Sequence, residues 1–208
     1  MKLFSYVVAR DFGFAPNPFF GICTLATCKP GIRSTAAVGD WIIGTGAKTR
    51  YDLAGRLIYA MQVAEVLDFD SYWTDPRFER KRPLLNGSLK QMYGDNIYHR
   101  EGGRWKQADS HHAWPDGRQN ANNLRRDTSA NRVLIATRFA YFGQSAVPIP
   151  AHVRRSDLSG KHLCAIRGYR KLSDHEAVAV EKWLVNMGSW GLVDFPLEFS
   201  RHQRLHKR

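Results

Sequence analysis

Between Val38 and Leu67 the chain sets two apolar runs almost back to back, VGDWIIGTG and GRLIYAMQVAEVL, each entered through a glycine. Gly39-Asp40 reads as a turn leading into a strong strand, Trp41 to Gly44. Gly55 opens a longer run, able to bend or to cross a small barrel. Runs of this kind have to be buried in a sheet. LFSYVVAR near the start alternates and ends in charge, and NRVLIATRFAYFG alternates through Val133, Ile135, Phe139 and Tyr141. The clearest helix is SDHEAVAVEKWLVNMG. Ser173 and Glu176 form a capping box, Ala177, Val180, Leu184 and Met187 share one face, and Gly188 supplies the stop.

The expected fold is therefore α+β: a small, strongly curved β-sheet or barrel with long loops and a C-terminal helix packed on it. A single domain over 1–208 accommodates it, with a β-rich body over 2–145, a helical extension over 146–199 and a basic tail over 200–208. DFGFAPNPFFG carries two prolines, two glycines and four phenylalanines, so it is an aromatic-rich loop. The stretch 84–131 holds few apolar runs and many turn residues, among them PDG at 115–117 and NANN at 120–123, and reads as short strands with long functional loops.

Lysine and arginine number 31 against 19 aspartates and glutamates, a formal charge of +12. Such an excess favours a polyanionic partner, because each neutralised phosphate releases counterions. The charge is clustered in ERKR at 79–82, LRR at 124–126, HVRR at 152–155 and the tail SRHQRLHKR. Arg80, Lys81, Arg82, Arg154 and Arg155 are accordingly expected to contact phosphate or nucleic acid. No apolar run approaches the roughly 18 residues of a membrane helix. The N-terminus reads as a strand and not a signal peptide. The three cysteines, Cys23, Cys28 and Cys164, form an odd set that suits reduced thiols in a cytoplasmic setting. Cys23 and Cys28, separated by four residues, have no second ligand pair to make a zinc site.

In YGDNIYHREGGRWKQADSHH, from Tyr93 to His112, polar side chains crowd among large aromatics around Gly102-Gly103. As a hairpin turning at Glu101-Gly102-Gly103, it puts Asn96, Tyr98 and Arg100 on one face and Ile97 and His99 on the other. His111 and His112 are neighbours in extended chain, so at most one of them joins any given site. A base pocket needs stacking faces and a few fixed donors and acceptors. Trp41, Tyr98 and Trp105 offer faces; Asp95, Asn96, His99 and His111 offer edges. For catalysis the candidates are His99, Asp109 and His111, with Cys23 as a nucleophile served by a distant histidine. A serine nucleophile is disfavoured, since Ser110 beside His111 has poor geometry and no G-x-S-x-G turn is present. Phosphate-loop, G-x-G-x-x-G, zinc-deaminase and methyltransferase-like glycine patterns are missing, which counts against the commonest ATP-, NAD- and zinc-dependent chemistries. A metal-assisted enzyme would draw its ligands from His99, Asp109 and one of His111 or His112, but no short-spaced helical pair is present, and the preferred reading invokes no cofactor and no metal.

Two likenesses accompany these residues. The succession VGDWIIGTG then GRLIYAMQVAEVL is similar to the small PUA-like barrels, including the EVE, YTH and ASCH families. More specifically, SYVVARDFGFAPNPF, CTLATCKP, VGDWIIGTG, DPRF, GDNIYH, the DSHH segment and RVLIATRFAYFG resemble the nucleotide-modification-associated domain family, second type, over roughly residues 2–145. That resemblance implies a substrate class without fixing a reaction. Two readings stand open: a module that recognises a modified nucleobase or nucleotide in a nucleic-acid modification or defence context, and an enzyme that processes one. A basic module docking on a nucleic-acid complex comes third.

Overall fold

A computed structural model describes residues 1–154, 162–164 and 168–200. The chain forms two compact units interleaved in sequence: residues 1–11, 36–64 and 137–208, and residues 12–35 and 65–136.

The first unit is built on an open mixed sheet. Its strands run in the order Tyr169–Leu172, Leu3–Val8, Trp41–Gly46, Arg56–Gln62, Arg138–Tyr141 and Gly191–Leu192, and Val147–Pro148 also pairs with Arg56–Gln62. Leu3–Val8 lies parallel to Trp41–Gly46, Gly191–Leu192 parallel to Arg138–Tyr141, and the other pairs are antiparallel. The strand order closes no barrel among the described residues. Helix Asp174–Met187 begins at the Ser173–Glu176 capping box and ends at Gly188, whose φ of 66° is the left-handed stop glycine supplies without strain. Ala177, Val180 and Leu184 enter one core with Leu3, Trp41, Ile43, Leu57 and Ala140, and Met187 packs at its margin.

The second unit holds a three-stranded antiparallel sheet, Cys23–Leu25, Val133–Ala136 and Glu65–Leu67, and a separate hairpin, Tyr98–Glu101 with Arg104–Gln107. Gly102 and Gly103 form the two-residue turn of that hairpin, with φ of 55° and 76°. Two positive angles in succession are what a type I′ turn requires.

GRLIYAMQVAEVL and NRVLIATRFAYFG, each expected as one strand, are each two. Arg56–Gln62 and Arg138–Tyr141 pair in the first unit, Glu65–Leu67 and Val133–Ala136 in the second. The alternation Val133, Ile135, Phe139, Tyr141 stays in phase across the change of sheet, so a period-two pattern carries no trace of it. No helix of the described residues is long and apolar enough to cross a membrane.

Candidate active site

Residues 26–29 join the strand Cys23–Leu25 to the short helix Pro30–Thr35. Proline suits the first turn of a helix, so the chain has to complete its reversal before Pro30. It does so at Cys28 and Lys29, whose φ values are 58° and 42° although neither is glycine. Such backbone costs on the order of 1–3 kcal/mol per residue and persists only where its surroundings over-determine it. Here the Cys28 N–H donates to Asp127 Oδ1 at 3.1 Å, and Arg33 Nε donates to the Cys28 carbonyl at 2.8 Å. Arg33 is fully buried, and its guanidinium also donates to the carbonyls of Ala130, Arg132 and Asp127. The strained turn is thereby tied to the end of helix Ala121–Thr128.

The half-buried Cys28 thiol lies with Sγ 3.7 Å from His112 Nε2, and His112 Nδ1 lies 2.8 Å from Asp127 Oδ2. Asp127 has no exposed surface and also accepts from the Tyr98 hydroxyl at 2.9 Å. An ionised carboxylate only accepts, so Nδ1 carries the proton shared with Asp127 and Nε2 is the nitrogen that faces sulfur. Thiol, imidazole and carboxylate stand in the order of nucleophile, base and orienting group. The Phe14 ring meets His112 edge-on, centroids 4.6 Å apart, and keeps one side of the imidazole dry.

Burial alone would push the His112 imidazolium down; hydrogen bonds to Asp127 and Cys28 outweigh it and hold the group up at about 9. Burial likewise pushes the Asp127 carboxyl up, and the hydrogen bond and charge of His112, with help from Arg126 and Tyr98, hold it below its usual range instead. At neutral pH the pair is imidazolium and carboxylate, and a positive ring stands beside the sulfur.

A histidine raised from 6.5 to about 9 contributes stability that is fully present below pH 6.5 and lost as pH rises through about 9. Lys81, which burial lowers to about 8, acts oppositely, since the unfolded chain binds the extra proton between about 8 and 10.5. The two separate in a difference measurement. The melting-temperature gap between the parent and His112→Gln should be largest near pH 6 and shrink by pH 10. A gap that does not change with pH would mean that the imidazolium is not what the carboxylate holds.

Sγ, a ring nitrogen and a carboxylate oxygen of the same three residues lie within 4.8 Å of one another, a donor set that zinc would accept by type. The arrangement fits a metal poorly. His112 presents one nitrogen to Cys28 and the other to Asp127, so an ion between sulfur and Nε2 would leave the carboxylate behind the ring, with two protein ligands where a catalytic zinc keeps three.

The residues singled out by sequence go to different places. Asp95 and Asn96 are fully buried: Asp95 accepts from Thr24 Oγ1 at 2.7 Å and the Tyr72 hydroxyl at 2.8 Å, and Asn96 Nδ2 donates to the carbonyls of Tyr72 and Phe78 while its Oδ1 has no partner among the described residues. Burial raises the Asp95 carboxyl, an effect that Lys81 opposes. Lys81, expected to face phosphate, is 1% exposed and donates to the Asn17 carbonyl and to Asn17 Oδ1. These are struts of the second unit. Tyr98 is buried and serves the triad through Asp127. His99 stacks on Trp73, centroids 3.9 Å apart, and reaches Glu101 at 3.0 Å. His111 is exposed among the rings of Phe12, Phe14 and Tyr93. Asp109 is exposed beside Gly117. Trp41 is fully buried in the core of the first unit, Arg154 is exposed, and Arg155 and the tail 201–208 lie outside the described residues. Cys23 is fully buried, and burial pushes its thiol up to about 12, which removes it as a nucleophile.

Sequence reasoning passed over Cys28, His112 and Asp127 as a set. The local signal was present in CTLATCKPGIRST, where a cysteine stands two residues before a proline-started helix after a short strand.

No curated protein and no solved structure matches the chain. The family model described as nucleotide modification associated domain 2 matches residues 1–203, nearly the whole sequence, and the chain belongs to that family.

Proposed function

We propose that this protein is a thiol-dependent enzyme acting on a modified nucleotide or nucleobase. The observation that carries the reading is the line from Cys28 Sγ through the His112 ring to Asp127, 3.7 Å and 2.8 Å long, on a strained turn between strand and helix. The family's description, nucleotide modification associated domain 2, supports that substrate class. In the first half-reaction the Cys28 thiolate attacks an electrophilic carbon of the modification, a carbonyl or a carbon of comparable reactivity. A carbon–sulfur bond forms, the carbon–leaving-group bond breaks, and His112 gives its proton to the leaving group. In the second, His112 takes a proton from water or an acceptor amine that attacks the same carbon, and the thiolate leaves. Asp127 holds the ring in place and stabilises its charged form throughout.

Recognition of a modified base without chemistry is the second reading. It is favoured by the exposed His111, whose ring, backed by the buried Phe12, Phe14 and Tyr93, offers one face for a base to stack on. Incubation with modified and unmodified nucleotides, followed by mass analysis of small molecules and of the Cys28 peptide, separates the two. Turnover together with a substrate-derived mass on Cys28, both abolished by Cys28→Ser, supports the enzyme. Binding that leaves every nucleotide intact and is indifferent to Cys28→Ser sinks it in favour of the reader.

A further inference from the structure

The second unit carries, in addition to the triad, a cleft of about 300 Å³ whose walls include Phe20, Glu79, Arg80, Arg82 and Gln91. We propose that this cleft binds the phosphate of a mononucleotide through Arg80 and Arg82, with the Phe20 side as the apolar wall.

The sequence ERKR supplies three cations in a row, and the structure divides them. Lys81 closes the turn Pro76–Lys81 by pointing inward to Asn17. Arg80 and Arg82, on either side of it, line the cleft. The Arg80 guanidinium lies 4.4 Å from the centre of the Phe20 ring, and the Arg82 guanidinium 4.3 Å from that of Trp73. A guanidinium held over an aromatic face still has N–H donors to offer an acceptor. Arg82 spends one terminal nitrogen on the Trp73 carbonyl, while its Nε is buried and donates to no acceptor. A buried N–H without a partner is expensive.

Charge points the same way. Arg77, three residues earlier, is held by Glu65 and Asp75, and Arg100, Arg118 and Arg126 each have a carboxylate. Among the described residues no carboxylate pairs with Arg80 or Arg82. Glu79 on the same wall leaves the cleft net positive and disfavours a second bound anion. Gln91 Oε1 is taken up by the Ser88 N–H and hydroxyl, so its Nε2 amide is the group left to donate. Two guanidinium forks, an amide donor and an aromatic wall suit a phosphate ester next to a nucleoside. The volume lies at the small end for ligand pockets, which suits one nucleotide and not a duplex.

This assignment does not depend on the thiol chemistry. The test is calorimetric titration of the full chain with deoxynucleoside 5′-monophosphates, the matching nucleosides, inorganic phosphate and a short single-stranded oligonucleotide. Monophosphates should bind about tenfold or more tightly than nucleosides, and inorganic phosphate should compete. Arg80→Gln and Arg82→Gln should each weaken binding by about tenfold or more. Arg118→Gln, whose parent arginine is exposed and paired with Asp116, should not weaken it. Arg80 is exposed, so its variant stays informative even if Arg82→Gln, which loses a contact to backbone, folds less well. Nucleosides binding as well as their phosphates, or Arg80→Gln leaving affinity unchanged, overturns the assignment. Binding of the oligonucleotide alone overturns the mononucleotide and points to a strand.

Discussion

Iodoacetamide at pH 7 should alkylate Cys28 first, and His112→Ala should slow that alkylation by about 10- to 100-fold. The half-buried Cys28 sulfur has the charged His112 ring 3.7 Å away, and Asp127 keeps that ring in place. The other two cysteines lack this. Cys23 has no exposed surface and its thiol is pushed up to about 12 by burial. Cys164 is half-buried and burial raises it as well. Peptide mapping after brief exposure therefore reads the triad directly, before any substrate is known. Asp127→Asn should act in the same direction as His112→Ala, because a neutral amide neither holds the charged ring nor fixes its tautomer. Preferential labelling of Cys164, or a Cys28 rate indifferent to His112, would show that the three side chains are neighbours without being a catalytic unit.

The fold was readable where the signal is local. Ser173 and Glu176 cap a helix within four residues of each other, and Gly102-Gly103 specifies its own turn, so both elements stand where the sequence put them. The chain's passage between sheets at 62–65 and 136–138 was not readable, because the hydrophobic alternation runs through it unbroken. The site divides in the same way. Adjacent residues of an extended chain point apart, yet the His111 and His112 rings both meet Phe14 and lie 6.0 Å from each other, with His112 also reaching Asp127. Asp95 and Asn96 look in sequence like pocket residues, since a carboxylate satisfied by Thr24 and Tyr72 inside a core has the same letter as one waiting for a ligand. Asp127 fails for the opposite reason. It follows Arg125 and Arg126, so in sequence it is absorbed into a basic, solvated cluster, and its partners lie 15 and 99 residues away. Separations of that size are properties of the fold, and no spacing rule encodes them.

Arg33→Met should lower the melting temperature by about 10 °C or more, the largest stability change we expect from a single side chain in the second unit. The guanidinium is fully buried and donates to four main-chain carbonyls, those of Cys28, Ala130, Arg132 and Asp127, while lying 5.4 Å from the centre of the Phe69 ring. Burial lowers it to about 10, with Asp127 opposing, so it remains charged at neutral pH. Methionine would fill much of the volume and leave those carbonyls without donors, at about 1–3 kcal/mol each where water cannot reach them. Arg33→Lys separates scaffold from function. An ammonium keeps the charge but not the planar fork, so it can satisfy only part of the set. The Cys28 carbonyl, held through Nε near the base of the fork, is the contact a lysine reaches least well. Arg33→Lys should therefore stay folded with a smaller loss of stability, yet show slower alkylation of Cys28, because the strained turn is no longer clamped against Asp127. If Arg33→Met melts within a few degrees of the parent, the four carbonyls have other donors and the turn is held by something else. If Arg33→Lys folds and Cys28 reacts at the parent rate, the clamp is structural only and the thiol is positioned by the Cys28 N–H to Asp127 hydrogen bond alone.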